Sequence, residues 1–127
     1  MPPIEIISVS ALIEALPDAL VVADSDGVIR LVNQQTELLF GRPRVDLLGT
    51  NVDEYVPRKV REIHSRHRAQ YVMDPKIRPM GTGLQLAVLQ KSGHEVAVEV
   101  NLSPLMAEGG MVIVVVLRRL VKPQAKQ

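Results

Sequence analysis

Residues 111–117 read MVIVVVL, a seven-residue apolar run in which valine predominates. β-Branched residues favour strands, and a strand that is apolar on both faces needs cover on both. The run is therefore predicted to be a central strand of a sheet, with further structure packed over each side. The segment Glu108-Gly109-Gly110 directly before it predicts a turn.

Two hairpin signals account for four more strands. Asp26-Gly27 and Ser92-Gly93 are turn dipeptides, and each lies between two apolar or alternating segments. Such turns join antiparallel neighbours, so the sequence predicts an α+β protein with a five-stranded antiparallel sheet. The predicted strands are Leu20–Asp24, Val28–Val32, Leu84–Gln90, Glu95–Leu102 and Met111–Leu117.

The predicted helices are short and have recognisable ends. Residues 9–16 (VSALIEAL) have apolar side chains at helical spacing before Pro17, which indicates an amphipathic helix that could cover the sheet of its own chain or of a partner. Asn33 is a good N-cap and Gly41 a good C-cap for the helix between them. A longer helix is predicted from Pro57 to Asp74, and the segment between Gly41 and Pro57 is expected to be irregular and short-helical.

Composition bounds the functional classes. The chain has 127 residues, a formal net charge of +1 and no cysteine. One domain is expected, and thiolate metal sites and cysteine photoadducts are excluded. Flavin is disfavoured because Phe40, Tyr55 and Tyr71 are the only aromatic residues. The absence of a long apolar run predicts a cytoplasmic protein without membrane contact.

The order of these elements and several strings resemble the PAS sensor family. The strings are ALPDALVVADSDGVIRLVNQQTELLFG, VDLLGTNVDEYVP and MGTGLQLAVLQKSGHEVAVEVNLSP. The resemblance implies a PAS fold with helices on one sheet face around a pocket for a small ligand or cofactor. It also implies a sensory, non-enzymatic module of a bacterial signal-transduction protein, active as a homodimer. Residues 117–120 read LRRL, at the place where many PAS domains carry an Asp-Ile-Thr-like cap.

The organisation expected from the resemblance has three parts. Residues 1–18 form an N-terminal cap and dimerisation helix, residues 19–120 the PAS domain, and residues 121–127 the start of a linker to an effector domain outside this chain. The predicted dimer contacts are Val9, Leu12, Ile13 and Leu16.

A helical wheel of residues 57–75 places His64, His67 and Tyr71 on or near one apolar side. The histidines are thus interpreted as semi-buried pocket-wall residues. The predicted pocket residues are His64, His67, Tyr71, Ile77, Leu84 and Leu86. The arginines of this segment are interpreted as a solvated surface, and no nucleic-acid contact is expected.

Two alternatives remain open. The first is a haem-based gas or redox sensor, since the proximal histidine of haem-binding PAS domains matches His64. Leu84 replaces the arginine that often faces the bound gas in those sensors, and leucine cannot donate that hydrogen bond. The second alternative is a dimerisation or assembly module without a ligand.

Overall fold

The computed structural model describes residues 7–76 and 85–120. Within these ranges it contains four α-helices, two 3₁₀ helices and five strands. The α-helices are α1 (Val9–Glu14), α2 (Gln34–Phe40), α3 (Arg44–Leu47) and α4 (Arg61–Met73), and the 3₁₀ helices are Val52–Tyr55 and Arg58–Val60. The strands are β1 (Ala19–Asp24), β2 (Ile29–Val32), β3 (Gln85–Leu89), β4 (Glu95–Ala107) and β5 (Gly110–Arg119).

The strands form one antiparallel sheet in the order β2-β1-β5-β4-β3. The predicted α+β class and all five strands are confirmed, and β5 has the central position that its valine run predicted. Strand β4 continues to Ala107, five residues beyond the predicted end at Leu102. Within the described residues, β3 begins at Gln85 opposite Glu99, so Pro104 lies beyond the described pairing with β3 and is paired with Ile113 of β5.

Local chemistry explains the ends of the short elements. The Asn33 side chain accepts a hydrogen bond from the Thr36 N–H at the start of α2, and Gly41 ends that helix in the left-handed region at φ 64°. In the β1–β2 turn the Asp24 carboxylate accepts hydrogen bonds from the N–H groups of Asp26 and Val28, each at 3.0 Å. These caps and turns are the ones that the sequence indicated.

The core lies between one face of the sheet and the helices α2, α3 and the 3₁₀ helix Val52–Tyr55. Its buried cluster contains Ala19, Val21, Ile29, Val32, Leu39, Phe40, Leu47, Tyr55, Val88, Val98, Val100 and Leu117. We call this face of the sheet the inner face. The opposite, outer face has half-buried valines in β5 at positions 112, 114 and 116 and the half-buried Val22 opposite Val114.

Helix α1 buries no side chain of its own within the described chain. Val9 and Leu12 are 70% and 59% exposed. That α1 of a partner copy covers the outer face of the sheet stays a prediction. Within the described residues, no helix is long and apolar enough to span a bilayer.

Candidate functional site

The candidate site lies where α4 meets the 3₁₀ helix Val52–Tyr55. His64 projects from α4 toward this 3₁₀ helix, and its Nδ1 atom lies 2.7 Å from Oδ1 of Asp53. Both side chains are largely buried, with 20% and 14% of their surface exposed. The Asn51 side chain caps the 3₁₀ helix by accepting a hydrogen bond from the Asp53 N–H at 2.9 Å, which fixes the backbone that carries the carboxylate.

Arg68, one turn after His64 on α4, completes the cluster. Its Nη2 atom donates to Oδ2 of Asp53 at 3.0 Å, and its Nε atom lies 3.3 Å from both carboxylate oxygens. Burial by itself raises the pKa of Asp53, but the hydrogen bonds and positive charge of Arg68, assisted by His64, outweigh it and hold that pKa below its ordinary value. Asp53 is therefore a stable anion, and its contacts with His64 and Arg68 connect α4 to the 3₁₀ helix Val52–Tyr55.

The β1–β2 turn forms another wall of the cluster. Gly27 has φ 87°, and a Cβ atom added there would lie 2.8 Å from Nε of Arg68. The guanidinium group thus occupies space that a side chain at position 27 would fill. We call Asp53, His64 and Arg68 the Asp53 cluster.

Four of the six predicted pocket residues, His64, His67, Tyr71 and Leu86, lie within the described residues. Tyr71 is 7% exposed, and its hydroxyl donates to the Lys76 carbonyl. Leu86 is half-buried and packs against the core cluster. Ile77 and Leu84 lie outside the described residues. Whether these residues line a pocket stays a prediction.

The expected position of His67 is wrong, because its side chain is exposed. The inward-facing residues of α4 are instead His64, Arg68 and Tyr71. The buried side of the helix is therefore rotated about the helix axis relative to the side that the wheel predicted. The wheel assigned arginine to solvent, whereas the buried Asp53 carboxylate draws Arg68 inward.

The predicted dimer contacts lie on an accessible surface. In addition to Val9 and Leu12, Leu16 is 37% exposed, and Ile13 is half-buried. Polar contacts hold α1 to the domain: the Asn33 side chain donates to the Ile13 carbonyl at 3.2 Å, and Glu14 pairs with Arg44 at 3.0 Å. The helix is thus attached through polar groups while its apolar side stays free.

The end of β5 makes an ion pair at the place where many PAS domains carry an Asp-Ile-Thr-like cap. Arg118 Nη2 lies 3.0 Å from the carboxylate of Asp18, which precedes β1. This pair links the segment entering the sheet from α1 to the strand that leads toward the C-terminus. No motif in the sequence indicates this pair, since the two residues are 100 positions apart.

Asp53 and Arg68 were not predicted as site residues. Asp53 is one of many scattered acids, and Arg68 is one of several arginines in its segment. The signal for their pairing is three-dimensional. Across residues 7–76 and 85–120, no group of three or more His, Asp and Glu side chains could hold a metal ion.

Comparison with known proteins identifies the family of this fold. Residues 8–120 match the family model of the PAS fold, and the chain belongs to the PAS family. Among solved structures, it is similar to the PAS domain of an HTR-like protein from Haloarcula marismortui, with a TM-score of 0.73, 22% identity, and coverage of 87% of this chain and 88% of that one. At this identity the likeness concerns the fold alone.

Two curated sensors are similar in sequence. The sensor protein FixL of Bradyrhizobium diazoefficiens is 26% identical over 101 residues, which cover 78% of this chain and 20% of FixL. The oxygen sensor protein DosP of Escherichia coli is 27% identical over 108 residues, which cover 85% of this chain and 13% of DosP. The chain spans a fifth or less of these relatives, and it is a PAS sensory domain homologous to part of each.

Proposed function

We propose that this PAS domain binds a small ligand or cofactor between α4 and the inner face of the sheet and acts as a homodimer. The conformational change that follows ligand binding would be passed to an effector domain. The observation that carries the ligand proposal is the packing of α4. Tyr71 is its only buried residue, and α4 packs most closely on the two 3₁₀ helices. The inner-face residues Leu86 and Val96 are only half-buried, which leaves apolar surface for a ligand.

The proposed module acts without catalysis and without a nucleic-acid contact of its own. This proposal is supported by the names of the two relatives, a sensor protein and an oxygen sensor protein. Homodimerisation is supported by two apolar surfaces of the same chain, the outer face of the sheet and the free side of α1. A second copy offers a complementary surface for each through a two-fold axis.

Leu12→Glu is expected to weaken the homodimer on the order of 100-fold or more, because an unpaired carboxylate in an apolar interface costs several kcal/mol. Leu12 is 59% exposed in the single chain, so the substitution leaves the fold intact. Sedimentation equilibrium across micromolar concentrations measures the change. The control is Val45→Glu, since Val45 is 79% exposed on α3 and outside the proposed interface. A wild-type monomer at high micromolar concentration, or equal effects of both substitutions, would refute this interface.

One observation favours haem as the cofactor. A histidine that ligates a metal through one ring nitrogen commonly donates the other N–H to a carboxylate, and His64 has Asp53 at Nδ1 in this arrangement. The residues present therefore fit a haem held by His64 through Nε2. Bound haem would supply an iron centre for a gas or redox signal, and the relative DosP is named an oxygen sensor protein.

An absorption spectrum of the protein with added haem tests this alternative. We expect a Soret band that is lost in His64→Ala and kept in His67→Ala, because His67 is exposed on the same helix. If no band forms, or if it survives His64→Ala unchanged, His64 does not ligate haem. An organic ligand or a ligand-free assembly module then becomes the better interpretation, and a filled core between α4 and the sheet would favour the latter.

A further inference from the structure

The Asp53 cluster sets the chemical form of the His64 ring. A neutral imidazole carries one N–H, and its other nitrogen carries a lone pair. An ionised carboxylate only accepts hydrogen bonds. Because Oδ1 of Asp53 is 2.7 Å from Nδ1 of His64, the hydrogen of the neutral ring belongs on Nδ1.

We propose that Asp53 is a positioning residue that holds His64 in the tautomer with its lone pair on Nε2. This inference rests on the proposal that His64 contacts the ligand or cofactor. The partner that suits Nε2 is then an iron centre or a ligand N–H or O–H group. A ligand that offers only an acceptor to Nε2 is disfavoured.

Arg68 makes this arrangement durable. The shortest contact of its guanidinium group is to Oδ2 at 3.0 Å, and its Nε atom lies 3.3 Å from each oxygen, while His64 Nδ1 lies 2.7 Å from Oδ1, so Arg68 fixes the carboxylate and leaves Oδ1 within reach of the ring. The Nη2–Oδ2 contact is a charge-assisted hydrogen bond, so it restricts rotation of the carboxylate beside the ring. The space beside Gly27 receives Arg68, so the β1–β2 turn also contributes to the position of the ring.

Nuclear magnetic resonance of the His64 ring in the ligand-free protein tests the tautomer directly. Two-bond proton–nitrogen correlations, recorded at a pH where the ring is neutral, identify the protonated nitrogen. We expect Nδ1–H in the wild type and a shift toward Nε2–H in Asp53→Ala. The exposed His67 serves as an internal reference that the substitution leaves unchanged.

The control variant is Glu54→Ala, which removes the neighbouring carboxylate of the same 3₁₀ helix and leaves Asp53 in place. The Nδ1–H form should persist in it. A wild-type ring protonated at Nε2 would overturn the inference, and that measurement does not depend on whether Asp53→Ala folds. An unchanged tautomer in folded Asp53→Ala would overturn it as well.

Haemin titration separates this inference from the proposed function. Loss of a carboxylate that orients a metal-binding histidine typically weakens metal binding about 10- to 100-fold, so Asp53→Ala should weaken haemin binding by that factor and Glu54→Ala should not. Equal haemin affinity in wild type and Asp53→Ala would refute the positioning role. If the wild type binds no haemin, the haem alternative fails, and the tautomer measurement alone decides the role of Asp53.

Discussion

Asn33→Ala is expected to lower the free energy of unfolding by about 2 to 5 kcal/mol, a large part of the stability of a domain of this size. Asn33 is fully buried, with 0% of its surface exposed. Its Oδ1 accepts hydrogen bonds from the N–H groups of Leu20 and Thr36 at 3.0 and 3.1 Å, and its Nδ2 donates to the carbonyls of Ile13 and Asp18 at 3.2 and 3.0 Å.

The physical reason is that one side chain satisfies backbone groups of α1, the α1–β1 segment, β1 and α2. Losing a helix cap costs about 1 kcal/mol, and each buried group left without a partner costs about 1 to 3 kcal/mol. Chemical denaturation followed by circular dichroism measures the change.

Asn51→Ala is the matched control for Asn33→Ala. Asn51 also caps a helix, by accepting from the Asp53 N–H, but it is only half-buried. Its loss should cost about 1 kcal/mol. If the two substitutions lower the free energy of unfolding equally, Asn33 does not connect the four segments as described and acts as an ordinary helix cap.

Leu47→Ala is also expected to destabilise the domain by about 2 to 5 kcal/mol, because it leaves a cavity in a packed core. Leu47 on α3 is 0% exposed and belongs to the core cluster. Leu48→Ala is the control, since the adjacent side chain is 41% exposed and should lose less than about 1 kcal/mol.

Equal losses of stability at positions 47 and 48 would contradict the packing of α3 described above. The same denaturation experiment serves both variants. Because α3 is a four-residue helix without a side-chain cap, its place in the structure depends on the burial of Leu47.

Much of the fold was predictable because it depends on local chemistry. Alternation and apolar runs gave the strands, and the cap residues Asn33 and Gly41 gave the bounds of α2. The long helix was predicted from Pro57, yet α4 begins at Arg61 after the 3₁₀ helix Arg58–Val60. Such a difference at a helix start is expected, because the energetic gap between 3₁₀ and α geometry in one turn is small.

The site was less predictable than the fold. His64 and Tyr71 were identified as inward-facing, but His67 is exposed and Arg68 takes its place. A helical wheel shows only the angle at which each residue lies around the helix axis. It therefore cannot include an ion pair with a residue 15 positions earlier. For the same reason the sequence did not indicate Asp53 as a site residue, because its role depends on the contacts with His64 and Arg68.

The sequence by itself determined the elements of this protein: a central valine strand, two hairpins, a capped α2 and an amphipathic α1. Their signals act over a few residues, through side-chain periodicity, turn conformation and capping. Only the tertiary structure decided which polar groups meet, as with Asp53 and His64, and Asp18 and Arg118. These contacts arise because packing brings distant segments within hydrogen-bonding range, and no pattern along the chain records those distances. Tertiary packing also decided that α1 is held by its polar groups and leaves its apolar side free.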